Sequence, residues 1–367
     1  MAMVKEIHSA VPQQGESLGI GPVPGVNQAA GRISFLDGLK ATGIVMVVAV
    51  HALSRVALDA HSHEVMMFLV GTVAVPLFFV ADGFLFAHKW TGHSQFDYTA
   101  YLRKNALRLL LPWAAFTSLY AVIRIGLESK ALTRDTILLG NDLPGIAKVL
   151  YLSGLSHHMY FLLSLFVVRL GISGVSRMLQ RSRWVWLVVC VAYIGLYVSG
   201  DVKRWFFAGA DPLLLACWGL QFFLLGVVLQ KWHGMLKPRA LWVGAICLGV
   251  TAGLWGTAPR SLSFLTQLFY LVGSYAMVLA VAERTNWGFS MGNDTMGIYL
   301  LHAPYVIWAV AAVLTCVRPP DEVSTMLSLT ALTVLLSWLL TRLMGMNMIG
   351  RFMLGQDTTQ FRRGASS

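Results

Sequence analysis

A stripe of ionisable residues runs along the first apolar segment of the chain, residues 33–56. Asp37 and Lys40 stand near its start, and His51 lies deep inside it. Eleven positions separate Lys40 from His51, close to three helical turns, so both side chains project from one face about 16 Å apart. Ionisable side chains inside a membrane span are costly and usually face a bundle interior or a water-filled cavity. The stripe therefore predicts a functional site; the alternative is a histidine that only hydrogen-bonds a neighbouring helix.

A carboxylate stands alone among apolar residues in the second segment, residues 65–87. It belongs to Asp82, and inserting such a charge at the centre of a span costs about 2.5–3.5 kcal/mol, so it needs a partner or a role. We expect Asp82 either to orient the imidazole of His51 or to pair with an interior arginine, and a purely structural pair that fixes helix register is an equal alternative. Gly83, the next residue, would let a neighbouring helix or an acyl chain approach closely.

A cluster of cations precedes the third apolar segment. Lys104 and Arg108 are four residues apart and share a helix face, with Arg103 just before them. Arginine grips phosphate bidentately and lysine serves as a point charge, so this cluster suits an anionic, nucleotide-type donor. An ordinary helix end at the inner membrane surface would attract the same residues.

Further imidazoles occur in two later segments. His157 and His158 open the fourth, while Tyr299 and His302 lie on adjacent turns of the ninth, just before Pro304 loosens that helix. We expect His158, Tyr299 and His302 to line the same cavity as His51, although structural roles are as compatible with the pattern. No HExxH spacing or carboxylate partner accompanies them, so we expect no metal.

The elements that position these residues are membrane-spanning helices. The chain has 367 residues, 56% of them hydrophobic and only 12% charged, with a mean hydropathy of +0.65. Its net charge of +11 does not indicate nucleic-acid binding, because the basic residues are scattered at the ends of apolar segments. We predict an all-α polytopic bundle in the lipid bilayer, with about ten spans of roughly the length a bilayer requires: 36–56, 65–87, 106–124, 149–170, 184–200, 212–230, 239–258, 261–282, 295–317 and 323–343.

The distribution of Lys and Arg predicts that both termini are cytoplasmic, because these residues are about twice as frequent on the side that holds the amino terminus. Residues 1–32 are predicted to form a flexible cytoplasmic tail, residues 33–345 the transmembrane domain, and residues 346–367 a cytoplasmic carboxy-terminal tail. No phosphate-binding loop or GxSxG elbow is present in the sequence. Once these two motifs are excluded, the chemistry that remains for this chain is that of histidine and carboxylate side chains inside a membrane cavity.

Five motifs, in this order along the chain, resemble the acyltransferase family 3 membrane proteins, bacterial O-acyltransferases that modify cell-surface sugars. They are DGLKATGIVMVVAVH, VPLFFVADGFLFAHK, RKNALRLLLPW, HHMYFLLSLF and MGIYLLHAPYV. The resemblance covers about residues 33 to 345. Two departures stand out: the family usually has Ser where this chain has Asp82, and it usually has two arginines at short spacing where this chain has Lys104, Asn105 and then Arg108.

The resemblance implies an O-acetyltransferase of the bacterial inner membrane. Acetyl-CoA would dock from the cytosol at Lys40, Arg103, Lys104 and Arg108, next to a cavity lined by Asp37, His158, Tyr299 and His302. His51 would act as general base toward a sugar hydroxyl or carry the acetyl group, since an imidazole with a pKa of about 6.5 suits either task, and Asp82 would hold its tautomer.

The acceptor implied by the resemblance is a lipid-linked oligosaccharide or an exopolysaccharide repeat unit, with polysaccharide assembly machinery as a further partner. Two other functions remain open at this point. The bare helical architecture also fits a transporter or flippase of polysaccharide units, in which the intramembrane His and Asp relay protons. A non-catalytic partner in a surface-polymer assembly complex is the third alternative.

Overall fold

The computed structural model describes residues 33–90, 97–133, 136–151, 155–181, 211–255, 257, 263–285, 289–316 and 323–356. The chain divides into two units, Met1–Ile33 and Ser34–Ser367, and the account below concerns the second. The predicted tail at residues 1–32 and the predicted span at residues 184–200 lie outside the described residues.

The described part of the chain is helical throughout and contains no strand. The helices are α1 (Ser34–Leu53), α2 (Ala60–Trp90), α3 (Tyr98–Ser129), α4 (Leu143–Tyr151), α5 (Tyr160–Arg181), α6 (Pro212–Leu236), α7 (Ala240–Leu254), α8 (Ser263–Thr285), α9 (Phe289–Leu301), α10 (Ile307–Thr315), α11 (Val323–Met344) and α12 (Met348–Met353). Short turns of 3₁₀ helix, His157–Met159 and Lys237–Arg239, precede α5 and α7, and a π-helical turn, His302–Val306, joins α9 to α10.

Seven stretches of these described residues are long and apolar enough to cross a bilayer, and one of them, Pro212–Leu254, contains both α6 and α7. The prediction of an all-α polytopic membrane bundle is thereby confirmed. The fourth predicted span has a different start: we predicted residues 149–170, but the helix begins at Tyr160. The separate helix α4 ends at Tyr151, and Ser156 is in an extended conformation that interrupts any continuous helix.

Helix α1 lies at the centre of the bundle and packs against α2, α8, α9 and α11. Most of its residues are buried, including Phe35, Leu39, Ile44 and Val48. Because neighbours surround α1, the polar side chains on it face other helices rather than lipid. This explains how an ionisable stripe is tolerated in an otherwise apolar span.

Glycines allow α2 and α6 to cross at very short range. A Cβ atom on Gly83 would lie 1.9 Å from the carbonyl oxygen of Phe223, and one on Gly226 would lie 2.1 Å from that of Val80. The two backbones therefore touch directly, as small residues permit between membrane helices. The sequence analysis assigned Gly83 to a close helix approach, and the structure agrees.

The carboxy-terminal segment folds back onto α3. Asn347 caps α12 by accepting a hydrogen bond from the amide of Gly350 at 2.6 Å, and Leu354 is buried. Gly355 adopts a φ of +65°, and a Cβ there would lie 2.9 Å from the carbonyl oxygen of Arg108. Residues 346–356 of the predicted tail thus pack against the helix that carries the cation cluster.

The α2–α6 crossing generates a stability prediction. Gly83→Ala should lower the unfolding temperature of the purified protein in detergent micelles, because overpacking a tight contact costs about 1–3 kcal/mol. Gly126→Ala on α3 is the matched control, since a Cβ there meets no atom within 4 Å. An unchanged unfolding temperature for Gly83→Ala would contradict the crossing.

Candidate active site

Three histidines from three separate segments meet at one end of α1. The ring centroid of His51 lies 5.9 Å from that of His158 and 5.1 Å from that of His302, and the rings of His158 and His302 are 4.6 Å apart. His51 is half-buried, whereas the other two are buried. In the part of the chain that the structure describes, no group of three or more His, Cys, Asp or Glu is arranged to hold a metal ion.

The turn that contains Pro304 positions His302. Proline has no N–H for the carbonyl of Leu300, four residues earlier. The hydroxyl of Tyr120 lies within hydrogen-bond distance of that carbonyl and 3.0 Å from that of Ala303, so its one proton is shared between the two. Ala303 leaves the helical conformation, as the sequence predicted for this region. The Nδ1 atom of His302 donates to the carbonyl of Tyr299 at 2.7 Å and also lies 3.2 Å from that of Ile298.

This contact defines the tautomer of the neutral His302 ring. Carbonyl oxygens can only accept, so Nδ1 carries a proton, and the neutral ring with this proton has a lone pair on Nε2. The Nε2 atom is buried and has no hydrogen-bond partner among the described residues. In its neutral form this ring therefore offers a lone pair next to the ring of His51.

Tyr299 ties the histidine cluster together. Its hydroxyl donates to the backbone carbonyl of His158, and its ring centroid lies 5.0 Å from the ring of that residue. The hydroxyl of Ser156 lies 2.7 Å from Nδ1 of His158. The 3₁₀ turn before α5 and the end of α9 are thus held as one unit facing α1.

Two cavities open on this cluster. The first, the histidine cavity, has a volume of about 320 Å³ and is lined by His51, His158 and Tyr299 together with mainly apolar side chains such as Trp218 and Phe161. The second, the distal cavity, has a volume of about 220 Å³ and lies beyond His51 along α1. Because His51 and His158 line both cavities, the imidazoles form the boundary between them.

A buried ion pair joins α2, α3 and α5 nearer the Lys40 end of α1. The guanidinium of Arg169 donates to both carboxylate oxygens of Asp82, through Nε at 2.8 Å and through a second nitrogen, and to the side-chain oxygen of Asn105 at 2.6 Å. Asn105 in turn donates to the carbonyl of Tyr101. We predicted that Asp82 either orients His51 or pairs with an interior arginine, and the structure shows the pair with Arg169.

Two more cavities adjoin this pair. The cation cavity, about 290 Å³, is lined by Lys89, Lys104 and Arg108 as well as by the ion pair itself. Asp97 also lines it, but its carboxylate caps α3 by accepting from the amide of Ala100. In the described part of the chain, none of the three cations Lys89, Lys104 and Arg108 forms an ion pair. The cavity therefore has an excess of positive charge.

The smallest of the four cavities, the connecting cavity of about 90 Å³, links the two ends of the site. Its walls include Lys40, Arg108 and the Asp82–Arg169 pair on one side, and Phe161 and Tyr299 on the other. The last two side chains also line the histidine cavity. Neighbouring cavities therefore share walls all the way from Lys104 to the far side of His51.

The structure brings most of the predicted site residues to this series of cavities, with exceptions. Arg103 is exposed and lines none of the four. Asp37 also lies outside them; it is buried against Gly292 and pairs with Lys40 at 3.7 Å. His302 lines no cavity because it is completely buried, so it contacts the other histidines rather than open space.

Asp82 does not line the histidine cavity, so the predicted contact with His51 is not seen. The residues of α2 that line the histidine cavity end at Val75, and Asp82 is seven residues further on, about 10 Å along the helix. The side chain of His157 lies outside the described residues.

The sequence analysis missed three residues of the site, namely Lys89, Asn105 and Arg169. Arg169 carried a detectable signal, because a basic residue within an apolar span is as costly as Asp82 and the two charges offset each other. Lys89 was attributed to the end of a span, where lysines are common. Asn105 gave no signal beyond its departure from the family motif.

The fold and the site together define a polytopic helical membrane protein with an internal polar site. The family model of the acyltransferase domain matches residues 33–342, and the chain belongs to this family, acyltransferase family 3. It is therefore a membrane acyltransferase, and the resemblance found in the sequence is confirmed. No curated protein and no solved structure matches the chain significantly.

The buried ion pair generates a prediction about coupling. Asp82→Leu or Arg169→Met should each destabilise the protein by about 3–5 kcal/mol, because each leaves one charge buried without its partner. The double variant should lose much less than the sum of the two. Unfolding temperatures of the four proteins in detergent micelles measure this, and additive losses would show that the two side chains are not coupled.

Proposed function

We propose that this membrane acyltransferase is an O-acetyltransferase that transfers acetyl from acetyl-CoA to a sugar hydroxyl of a lipid-linked oligosaccharide or exopolysaccharide repeat unit. The observation that carries the proposal is the series of four cavities that share walls between the cationic end and His51. An acyl group entering at one end would meet an imidazole inside the bundle without crossing lipid.

The donor would bind at the cation cavity. Lys89, Lys104 and Arg108 offer three positive side chains to the phosphates of coenzyme A, with Arg108 able to form a bidentate contact. Asp82 keeps Arg169 neutralised, so that the pair shapes the cavity wall without competing for phosphate. Because coenzyme A is cytosolic, the proposal places this end at the cytoplasmic face of a bacterial inner membrane, with both termini on the same side.

The size of the connecting cavity favours a small acyl group. Its volume of about 90 Å³ lies between Phe161, Leu162, Met296 and Tyr299, and Lys40 stands at its cationic side. The volume suits acetyl better than a long acyl chain, which the aromatic side chains would obstruct. Lys40 would lie beside the thioester as the acetyl group passes toward His51.

His51 would perform the transfer in one of two balanced ways. As general base, it removes the proton of the sugar hydroxyl while that oxygen attacks the thioester carbonyl; the C–S bond breaks, and the thiolate takes up the proton. As nucleophile, it forms an acyl-imidazole while the C–S bond breaks and the thiolate takes up the ring proton. The sugar oxygen then attacks the carbonyl, the C–N bond breaks, and the hydroxyl proton returns to the imidazole. In both cases His302 and His158 would hold the His51 ring in place.

The first prediction of this proposal concerns His51 itself. His51→Ala should abolish transfer of acetyl from radiolabelled acetyl-CoA to the surface polysaccharide, because among the described side chains only one other imidazole lines both the histidine and the distal cavity, that of His158, which is buried. Protein level and unfolding temperature should stay unchanged. His61→Ala, at the exposed start of α2, is the control.

Retained acetylation in the His51 variant would contradict the mechanism. Unchanged acetylation combined with loss of polymer export would favour a transporter, and intact function in every respect would favour a non-catalytic partner of the assembly machinery.

The second prediction concerns the donor. Arg108→Ala should raise the KM for acetyl-CoA by about tenfold or more, because a charge-assisted contact contributes about 1.5–3 kcal/mol, and kcat should change less. Arg239→Ala is the matched control, since Arg239 is exposed and lines none of the four cavities. Steady-state kinetics with purified protein in nanodiscs measure both values, and an unchanged KM would remove Arg108 from the donor site.

A further inference from the structure

The distal cavity differs chemically from the other three. Its walls combine two arginines, Arg55 and Arg124, with two aromatic side chains, Tyr305 and Trp308, and no acidic residue lines it among the described residues. It lies at the opposite end of the cavity series from the cation cavity, and His51 belongs to its wall. A molecule in the distal cavity would therefore reach the imidazole from the side away from the donor.

Arg55 provides the positive charge of this cavity that no carboxylate offsets. Arg124 pairs with Glu128 at 2.7 Å, and the same carboxylate also accepts from the backbone amides of residues 137–139. Arg55 forms no ion pair in the part of the chain that the structure describes; its guanidinium instead lies 5.3 Å from the ring centroid of Trp308. This contact keeps the charge on the cavity wall.

The aromatic side chains give the cavity a surface for a sugar ring. Tyr305 and Trp308 lie 5.9 Å apart between ring centroids, in an edge-to-face arrangement, and Trp308 is substantially exposed. Indole and phenol rings combine a flat apolar face with a polar tip. The C–H face of a pyranose packs well on such rings, while its hydroxyls remain available for polar contacts.

The location of Arg55 distinguishes this site from an ordinary charged helix end. An arginine that only extends to the membrane surface would point away from the bundle. Arg55 instead follows α1 by two residues and shares a cavity wall with Ser54 and His51 of the same segment. Charge, aromatic surface and imidazole are therefore presented to one cavity.

We propose that the distal cavity is the acceptor subsite and that it selects an anionic sugar. A carboxylate or phosphate on the sugar binds Arg55, the pyranose ring packs against Trp308 and Tyr305, and a hydroxyl is directed at His51. That the bound sugar is the acceptor of the acetyl group rests on the proposed function, whereas the binding of an anionic sugar in this cavity does not. The shared chemistry is an anion carried beside a pyranose ring, either as a uronic acid or as the phosphate of a lipid-linked sugar.

Ligand-observed saturation-transfer NMR on the full-length protein in zwitterionic nanodiscs tests the subsite directly. The probes are methyl β-D-glucuronide, glucose 1-phosphate and the neutral methyl β-D-glucoside. We expect at least one of the two anionic probes to bind about tenfold more tightly than the glucoside, as one charge-assisted contact provides, and the preference to weaken as salt is added. A preference for the glucuronide assigns a uronic acid, and a preference for glucose 1-phosphate assigns a sugar phosphate.

Variants separate Arg55 from general charge effects. Arg55→Gln should reduce the affinity for the anionic probe to that for the glucoside, and Trp308→Ala should weaken the binding of all three probes. Arg239→Gln removes the same charge outside the four cavities and should change nothing. Equal binding of anionic and neutral probes by the unmodified protein, or an anion preference that survives Arg55→Gln, would overturn the proposal.

The result for the sugar subsite can be distinguished from the result for the proposed function, because the probe experiment measures binding and does not depend on acetyl transfer. If His51→Ala retains acetylation while the preference that depends on Arg55 persists, the acetyltransferase mechanism fails and the anionic-sugar site stands. If His51→Ala abolishes acetylation but no probe depends on Arg55, the mechanism stands and the subsite fails.

Discussion

The pairing of Asp82 with Arg169 is the interaction on which the architecture of the site depends. Each charge alone would be prohibitive inside a bilayer, and together they satisfy one another through two hydrogen bonds, with Asn105 taking up another nitrogen of the guanidinium. The pair joins α2, α3 and α5, so the spacing of these helices is fixed where the cation and connecting cavities meet. It also neutralises the Asp82 carboxylate, which would otherwise repel a phosphate from that end.

Irregular backbone is confined to the other end of the site, where side chains compensate for it. A break in a membrane helix leaves carbonyl groups that no water can serve, so such breaks survive only where protein groups replace the missing donors. Here Tyr120 and His302 supply those donors around Pro304. The bond from His302 to the carbonyl of Tyr299 at this turn also fixes the tautomer of the neutral His302 ring, so the irregular backbone and the state of the histidine cluster are related.

Helical periodicity allowed much of the site to be predicted from the sequence. The spacing of Lys40 and His51 depends only on the period of one continuous helix, and α1 is continuous across both. The partner of Asp82 could not be chosen in this way, because it lies 87 residues away on α5. Arg103 and Arg108 likewise look equivalent in sequence, but only the packing of α3 against its neighbours decides which of them lines a cavity. The burial of His302 accompanies the π-helical turn. In the local sequence, the only sign of this turn is Pro304.

The aromatic constriction formed by Phe161 and Tyr299 has a consequence for the membrane itself. An open, wetted channel between the two ends of the bundle would let ions leak across the bilayer. The connecting cavity has a volume of only about 90 Å³, and the apolar part of its wall opposes continuous wetting. Such a cavity suits the movement of a small neutral group better than that of an ion.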